Sequence, residues 1–227
     1  MDDRLTRSLK KTHLVLKSPP PWTLRGEGII LLFKFSKEWI DACSHISDAL
    51  KKRFRGGLGY VMMVDYHESP VGPYRELLII PGKFRKNRKH VISRIVVDSE
   101  ASTINGRANW GIPKETFPID WKKEKGKDFI TIKSEKEIVF SAEITYGGIP
   151  FPVSTSILPI SLCQKWNKVK FHTKPSGSGW GKLAKLRNLE IDPGFFPDFS
   201  AIKPLLAVRV NPFTIVFPEP YFEDEFI

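Results

Sequence analysis

Apolar and polar residues alternate along much of the chain, in short segments that proline and glycine separate. Ile138, Phe140, Ala142 and Ile144 are one example, and a period of two is typical of a β-strand with one buried face. The pattern predicts strands at residues 29–35, 58–66, 76–80, 91–98, 129–133, 137–146, 169–173, 182–191 and 205–210. Because strands and helices do not alternate, we expect a mainly β fold with few helices, in which an antiparallel sheet closes into a barrel-like architecture.

Two segments favour a helix instead. After Ser36, apolar residues recur at intervals of three and four up to Leu50, and Gly56–Gly57 would end this helix. Ser99 is a second potential N-cap, from which a shorter helix runs into Asn105–Gly106. The helix after Ser36 is predicted to be the longest of the chain.

The chain shows no internal repeat and no break in composition. Its 227 residues, 41% of them hydrophobic, are enough to bury a core, which excludes general disorder. The proline-rich run Ser18–Pro21 marks the end of an N-terminal extension. We therefore expect an extension over residues 1–20 and a single domain over residues 21–227.

Several features predict a cytoplasmic protein without a membrane partner. The longest uninterrupted apolar run, Ile29–Phe33, is far shorter than the roughly 20 residues of a membrane-spanning helix. Residues 1–17 mix acidic and basic side chains and lack the apolar stretch of a secretory signal. Cys43 and Cys163 have no Cys or His neighbours at ligand spacing, so we expect two buried thiols rather than a disulfide framework or a zinc site.

The net charge of +11 raises the question of an acidic partner. The densest basic stretch, Lys83–His90, follows a turn signal and precedes an apolar run, so it is interpreted as a solvated connection. A similar cluster at Lys122–Lys127 is interpreted as a hairpin turn. No recognition helix or aromatic platform accompanies this charge, which argues against nucleic acid, although a basic interaction protein stays open as an alternative.

Motif searches exclude several common chemistries. The five histidines form no pair at metal-ligand spacing, so no metal site is predicted. The chain has no dinucleotide-binding glycine fingerprint, no phosphate-binding loop and no serine-hydrolase elbow. The glycine-rich segment 176–181 lacks the register of such motifs and is interpreted as a mobile loop between strands.

Two stretches combine charged residues with rigid turns. Gly72–Glu76 places adjacent charges at the start of an apolar strand, and residues 105–115 place Lys114 after an aromatic, glycine-flanked turn. From spacing alone, Glu76 is interpreted as the partner of a nearby arginine at the surface and Lys114 as one solvated lysine among many. Both readings leave a functional role open.

These stretches resemble the motifs of the acetoacetate decarboxylase family. Gly72–Glu76 is followed further along the chain by Gly106–Arg107 and Trp110–Lys114, in the order and separation found in that family. Arg25, after a Pro-Trp opening, is similar to the family's early active-site arginine, and the resemblance extends over the chain from about Pro21 onward. It implies a β-rich barrel-like fold that encloses an apolar cavity, a Schiff-base lysine, and no metal or organic cofactor.

The resemblance also implies a role for each residue. Lys114 is the nucleophile, Glu76 the cavity carboxylate that carries protons, and Arg25 the group that receives a substrate carboxylate. A neutral amine attacks a ketone, and the resulting protonated imine accepts the electrons released when a β-carboxylate leaves as carbon dioxide. The reference pKa of lysine is about 10.4, so the amine is almost always protonated at neutral pH. Burial disfavours the charged ammonium and is therefore expected to lower this pKa. The remaining expected substrate contacts are Arg107, Trp110 and Tyr74.

One residue departs from the family pattern. The motif continues Pro-Lys-Lys in the family, whereas Glu115 follows Lys114 here. If Glu115 faced Lys114 it would raise the lysine's pKa and oppose catalysis; if it points outward, burial remains effective.

The resemblance thus implies a cofactor-independent Schiff-base lyase that acts on a small oxo acid, by decarboxylation or by a related aldol or dehydratase reaction. The alternative is a non-decarboxylating member that binds a small apolar acid, or one that has lost turnover because of Glu115. Members of the family commonly assemble, so a homo-oligomer is also expected.

Overall fold

The computed structural model describes residues 16–84 and 88–224, and the structural statements below concern those residues. The strands are β1 (Trp22–Phe33), β2 (Gly59–Glu68), β3 (Tyr74–Ile80), β4 (Lys83–Phe84), β5 (Lys89–His90), β6 (Arg94–Val97), β7 (Glu115–Thr116), β8 (Ile119–Glu124), β9 (Lys127–Ser134), β10 (Glu137–Ser154), β11 (Leu162–Trp166), β12 (Val169–Thr173), β13 (Ser176–Ile191), β14 (Leu206–Phe217) and β15 (Tyr221–Asp224). The helices are α1 (Lys37–Ala42), α2 (Asp48–Lys51) and α3 (Glu100–Trp110).

The fold is mainly β, as predicted, and a 10-stranded sheet dominates it. Its strand order is β7-β6-β3-β2-β1-β14-β13-β10-β9-β8, and a 5-stranded sheet has the order β15-β12-β11-β5-β4. The predicted closure is wrong in detail: the large sheet curls into a half-barrel whose edges, within the described residues, are β7 and β8. Closing a barrel requires the two edge strands to pair along their length, and the two-residue β7 is too short for that.

The helices differ from the prediction in length. Ser36 caps α1 through its hydroxyl, which accepts the Trp39 N–H, but the chain becomes extended at Cys43 and a separate turn, α2, starts after Ser47. Serine and aspartate favour such caps and turns over helix interiors, which explains the break. The longest helix is α3, capped by Ser99.

The glycine-rich segment 176–181 is part of β13 rather than a mobile loop. A Cβ on Gly177 would lie 2.5 Å from the backbone oxygen of Thr214, so the absence of a side chain lets β13 approach β14 closely. The cluster at residues 122–127 is a hairpin turn as predicted, with Gly126 at a φ of 76°. Strand pairing therefore decides the state of residues 176–181, whereas local composition correctly indicated the turn at residues 122–127.

Two apolar layers lie on opposite faces of the large sheet. Along β3, Leu77 and Ile79 pack into one layer, and Leu78 and Ile80 pack into the other. Neighbouring residues of a strand point to opposite faces, so Tyr74 and Glu76 share the face of Leu78. This second face, which α3 covers at one edge, is the one that holds the candidate site.

The remaining expectations about the fold concern the two cysteines, the basic stretch and membrane-spanning helices. Cys43 and Cys163 are both buried, as predicted. The ends of the basic stretch form β4 and β5, whereas residues 85–87, like residues 1–15 of the predicted extension, lie outside the described residues. No helix in the described chain is long and apolar enough to cross a membrane.

Candidate active site

The amine of Lys114 is buried and contacts three side chains from two elements. Its Nζ lies 2.7 Å from Oε2 of Glu76, 2.9 Å from Oγ of Ser102 and 3.5 Å from the hydroxyl of Tyr74. Lys114 and Glu76 are 4% and 5% exposed. At this burial the lysine and the carboxylate form an ion pair that water does not screen.

Local structure explains why these side chains meet. Tyr74 and Glu76 alternate with Arg75 along β3 and so point to the same face. Helix α3 ends at Gly111, whose φ of 61° is left-handed and turns the chain back toward β3. Beyond this turn, Lys114 runs back along α3, where a Cβ on Gly106 would lie 2.8 Å from Cδ of Lys114. Gly106 therefore provides the space for the lysine side chain.

The Glu76 carboxylate dominates the electrostatics of the site. Burial alone would lower the pKa of Lys114, but the charge of Glu76 and the Tyr74 hydroxyl outweigh burial and hold that pKa above its usual value. Burial and Glu76 raise the pKa of Tyr74 to about 12, although Lys114 opposes them. The expectation that the pKa of Lys114 lies below its usual value is therefore wrong, because Glu76 lies in the same pocket and outweighs the effect of burial.

A second tyrosine belongs to the same network. Burial, together with the charge of Glu76, raises the pKa of Tyr66 well above its usual value. Tyr66 pairs with Tyr74 across β2 and β3, and the two ring centroids lie 4.8 Å apart. At neutral pH both phenols are protonated and each can donate a hydrogen bond.

A cavity of about 200 Å³ opens from this polar cluster. Its walls are mainly aliphatic and aromatic, and Trp110 and Ile112 are among the lining residues. The Trp110 ring packs edge-on against Trp22, with centroids 5.1 Å apart, and its Nε1 donates to the backbone oxygen of Pro218. The apolar cavity that the resemblance implies is present, with Lys114, Glu76, Tyr74 and Trp110 all at its surface.

The two arginines that the resemblance assigns to substrate do not line this cavity. Arg25 alternates with the cavity-lining Leu24 on β1, so it points to the opposite face, where it pairs with Glu68 at 3.1 Å. Arg107 is one position beyond Gly106 on α3, and its guanidinium lies over the Trp166 ring at 5.3 Å. One helical step is enough to turn its side chain away from Lys114.

Glu115 also points away from Lys114. Its Oε1 accepts a hydrogen bond from the Arg94 guanidinium at 2.6 Å, and its side chain is 46% exposed. Because Glu115 follows Lys114 directly at the start of β7, the two side chains leave the backbone on opposite sides. The carboxylate that stabilises the ammonium of Lys114 is Glu76, not Glu115.

Ser102 and Tyr66 were not predicted from the sequence. Ser102 lies four residues before Gly106, so it shares the helix face against which Lys114 packs, and this spacing is a usable signal once the helix is recognised. Tyr66 joins the site only through the register of β2 with β3, for which a single sequence carries no signal.

A separate buried charge network lies outside the cavity. Arg209 binds Glu27 at 2.6 Å and Asp128 at 2.9 Å, and Lys123 contacts Glu27 and Asp65. A carboxylate oxygen of Glu27, a carboxylate oxygen of Asp65 and a ring nitrogen of His67 lie within 4.8 Å of one another, a spacing compatible with a metal ion. The Lys123 ammonium already contacts both carboxylates and Arg209 also binds Glu27, so the arrangement is a structural ion network.

Comparisons with known proteins support the family resemblance and the fold. The family model for acetoacetate decarboxylase (ADC) matches residues 13–157, more than half of the chain. No curated protein sequence matches the chain. The fold is similar to that of acetoacetate decarboxylase from Legionella pneumophila, with 14% identity and a TM-score of 0.68 over 90% of this chain and 88% of that one.

Two further solved structures have similar folds. MppR, an enduracididine biosynthesis enzyme, is 15% identical, with a TM-score of 0.63 over 92% of this chain and 90% of that one. An acetoacetate decarboxylase-like enzyme from Sphingomonas wittichii RW1 is 11% identical, with a TM-score of 0.64 over 95% of this chain and 99% of that one. At such low identity these likenesses concern the fold alone, whereas the family match rests on sequence. The chain belongs to the acetoacetate decarboxylase family.

Proposed function

We propose that this protein is a Schiff-base-forming lyase whose nucleophile is Lys114 and whose substrate is a small carbonyl compound, of which an oxo acid is the predicted example. The observation that carries the proposal is the buried Lys114 amine, 2.7 Å from Glu76, at the surface of an apolar cavity. A lone buried ammonium would be costly, and an amine with a proton acceptor in contact is equipped for imine formation. Tyr74 and Trp110 are proposed to contact the substrate.

The first step is deprotonation of the Lys114 ammonium. Transfer from Lys114 to Glu76 across 2.7 Å converts an ammonium and a carboxylate into a neutral amine and a carboxylic acid. This transfer removes both charges from an apolar environment, so entry of a substrate that displaces water favours it. Glu76 then holds the proton that the next step requires.

Imine formation uses that proton. The Nζ of Lys114 attacks the carbonyl carbon while the carbon–oxygen π bond breaks, and one proton moves from the nitrogen to the oxygen, which becomes the hydroxyl of a carbinolamine. Glu76 returns its proton to this hydroxyl, which leaves as water while the nitrogen lone pair forms the carbon–nitrogen double bond. The product is a protonated imine beside an ionised Glu76, so net charge is conserved and the proposed chemistry needs only residues of this chain.

The imine can serve more than one reaction. Its positive nitrogen accepts an electron pair when an adjacent carbon–carbon bond breaks, as in decarboxylation of a 3-oxo acid or a retro-aldol cleavage. Relatives suggest both directions: one similar fold is an acetoacetate decarboxylase, and MppR has been seen with pyruvate and with a condensation product of pyruvate and imidazole 4-carboxaldehyde. Protonated Tyr66 and Tyr74 are suited to donate hydrogen bonds to the hydroxyl oxygen of the carbinolamine.

A noncatalytic binding protein is the second candidate. Glu76 holds the pKa of Lys114 above its usual value, and an ammonium is not a nucleophile. A protein that binds an apolar ligand above a permanent Lys114–Glu76 ion pair would have the same structure. Loss of turnover through Glu115 has no support here, because Glu115 binds Arg94.

Reductive trapping distinguishes the two candidates. The protein is incubated with acetoacetate, pyruvate and simple ketones in the presence of cyanoborohydride, and the adduct is located by peptide mass mapping. We expect a single adduct on Lys114, which Lys114→Ala abolishes while Lys122→Ala, a change at a lysine 75% exposed, leaves it intact. No adduct in the folded protein, or an adduct that survives Lys114→Ala, would contradict the proposal and favour the binding protein.

Assembly into a homo-oligomer and a cytoplasmic location stay predictions. The same holds for the absence of a nucleic-acid partner, since part of the basic stretch lies at residues 85–87, outside the described chain. A small-molecule partner is the part of the prediction that similar proteins support, because MppR is described in complex with pyruvate.

A further inference from the structure

The cavity contains only one pair of charged groups. Among its lining residues in the described chain, Glu76 and Lys114 are the only ones with a formal charge, and they neutralise each other at 2.7 Å. Arg25 and Arg107 lie outside it. A charged group on a substrate, if it lies beyond the reach of Lys114, would therefore find no partner of opposite charge.

Few uncharged polar side chains line the cavity. Tyr66 and Tyr74 belong to the buried Glu76 cluster, whereas Ser178 and Thr214 are exposed and mark the cavity entrance. The rest of the wall is mainly hydrocarbon, formed by side chains of β1, β2, β3 and β14 and by loop residues such as Ile160. The further hydroxyls in the lining belong to Tyr60, Ser154 and Thr155, of which Ser154 binds Ser156 and Thr155 binds Gly177. This part of the cavity therefore offers an anion few hydrogen-bond donors and no cation.

This distribution discriminates strongly between substrates. A carboxylate placed against the hydrocarbon wall would lose its water without gaining a partner, and the ionised Glu76 would repel it. A hydrocarbon chain in the same position gains roughly 25 cal/mol for each Å² of apolar surface removed from water. The cavity thus favours substrates whose distal part is uncharged.

We infer that the substrate is a carbonyl compound whose remaining part is an uncharged hydrocarbon chain or ring, with any ionised group no more than one carbon away from the carbonyl, within reach of Lys114. This inference rests on the proposed function for the identity of the reacting group. It extends that function because it assigns the specificity to the apolar wall rather than to an arginine. A medium-chain ketone, an aldehyde or a 3-oxo acid with an alkyl tail fits this description.

The test compares three ligands of nearly identical shape. Hexan-2-one, 5-oxohexanoate and methyl 5-oxohexanoate share the methyl ketone and differ in the charge of the far end. Two readouts are recorded for the whole protein: the rise in thermal unfolding midpoint with ligand concentration, and the concentration that half-saturates cyanoborohydride trapping at Lys114. We expect the ketone and the ester to half-saturate at least about tenfold below the acid in both readouts.

The two readouts separate failure of the inference from failure of the proposed function. Equal or stronger stabilisation by 5-oxohexanoate, or no stabilisation by any of the three ligands, would overturn the inference. Stabilisation by the ketone and the ester without a Lys114 adduct would support the inference about the cavity while refuting the Schiff-base mechanism.

A variant with an added cation tests the physical reason. Leu158 lines the cavity and is 39% exposed, so Leu158→Lys can place an ammonium at the wall without burying it completely. We expect this variant to bind 5-oxohexanoate about tenfold more tightly, whereas Leu205→Lys, at a residue 60% exposed and outside the cavity, does not. If Leu158→Lys gives no gain, or both variants gain equally, the missing cation does not exclude the acid and the inference fails.

Discussion

Gly106→Ala tests whether the position of the Lys114 side chain controls reactivity. The new Cβ would lie 2.8 Å from Cδ and 2.9 Å from Cε of Lys114, whereas ordinary contact begins at 3.4 Å. Relief of this overlap requires the lysine side chain to move by about 0.6 Å, since the backbone of α3 is held by its own hydrogen bonds. The lysine amine would then be displaced from the position in which it lies 2.7 Å from Glu76, and this hydrogen bond would weaken.

The expected magnitudes follow from this displacement. Misplacing a reacting group by about 1 Å can cost on the order of a hundredfold in rate, so we expect trapping at Lys114 to slow by roughly tenfold to a hundredfold. Stability should change much less, because alanine is about 1 kcal/mol more favourable than glycine inside a helix and offsets part of an overpacking cost of about 1–3 kcal/mol. The assays are the trapping rate at saturating ketone and the urea-unfolding midpoint.

Gly147→Ala is the matched control. It adds the same methyl group at a glycine of β10 that has nothing within 4 Å of its ideal Cβ, so trapping should keep its native rate. A native trapping rate in Gly106→Ala would refute the reasoning, because it would mean that the lysine side chain does not need the space that Gly106 provides.

The remaining predictions concern charge. In Glu76→Gln, the charge that raises the pKa of Lys114 most is gone and burial is opposed only by the Tyr74 hydroxyl. The pKa therefore falls and the pH at which trapping reaches half its maximum moves down; an unchanged profile would contradict the pairing. In Glu115→Lys, this profile should stay in place, because Glu115 faces Arg94, and the unfolding free energy should fall by at most about 1 kcal/mol. Arg209→Met removes the ion partner of the buried Asp128 and one of the partners of Glu27, so urea unfolding should show a loss of about 3–5 kcal/mol; a loss below about 1 kcal/mol would mean that the network relaxes.

The alternation of apolar residues located most strands of the large sheet but not where each strand ends. Strand β12 has the predicted bounds, whereas β10 and β13 run well beyond the predicted segments. The added residues are rich in glycine and proline, which are rare in strand interiors. They become strand because the added part of β10 pairs with β13, and the added part of β13 also pairs with β14. Pairing energy is a property of two segments, so one segment's composition does not contain it.

In the segment after Ser36, the sequence predicted a longer element than the structure contains. Its apolar spacing is helical, and Ile40 and Ile46 are buried, but the chain breaks at Cys43 into two short helices. Burial of the same residues is achieved without a continuous helix, so periodicity correctly indicated which side chains face the core and overestimated the length of the element. The backbone becomes extended at Cys43, which ends α1 there.

The sequence by itself determined the family, the β-rich class of the fold and three members of the buried cluster, because Tyr74, Glu76 and Lys114 stand in motifs with a definite spacing. Only the tertiary structure decided that Arg25 and Glu115 point away from the cavity. It also decided that the pKa of Lys114 is raised rather than lowered. The physical reason is that side-chain direction depends on strand register and a pKa depends on distances of a few ångströms, and both are set by segments far apart in the chain.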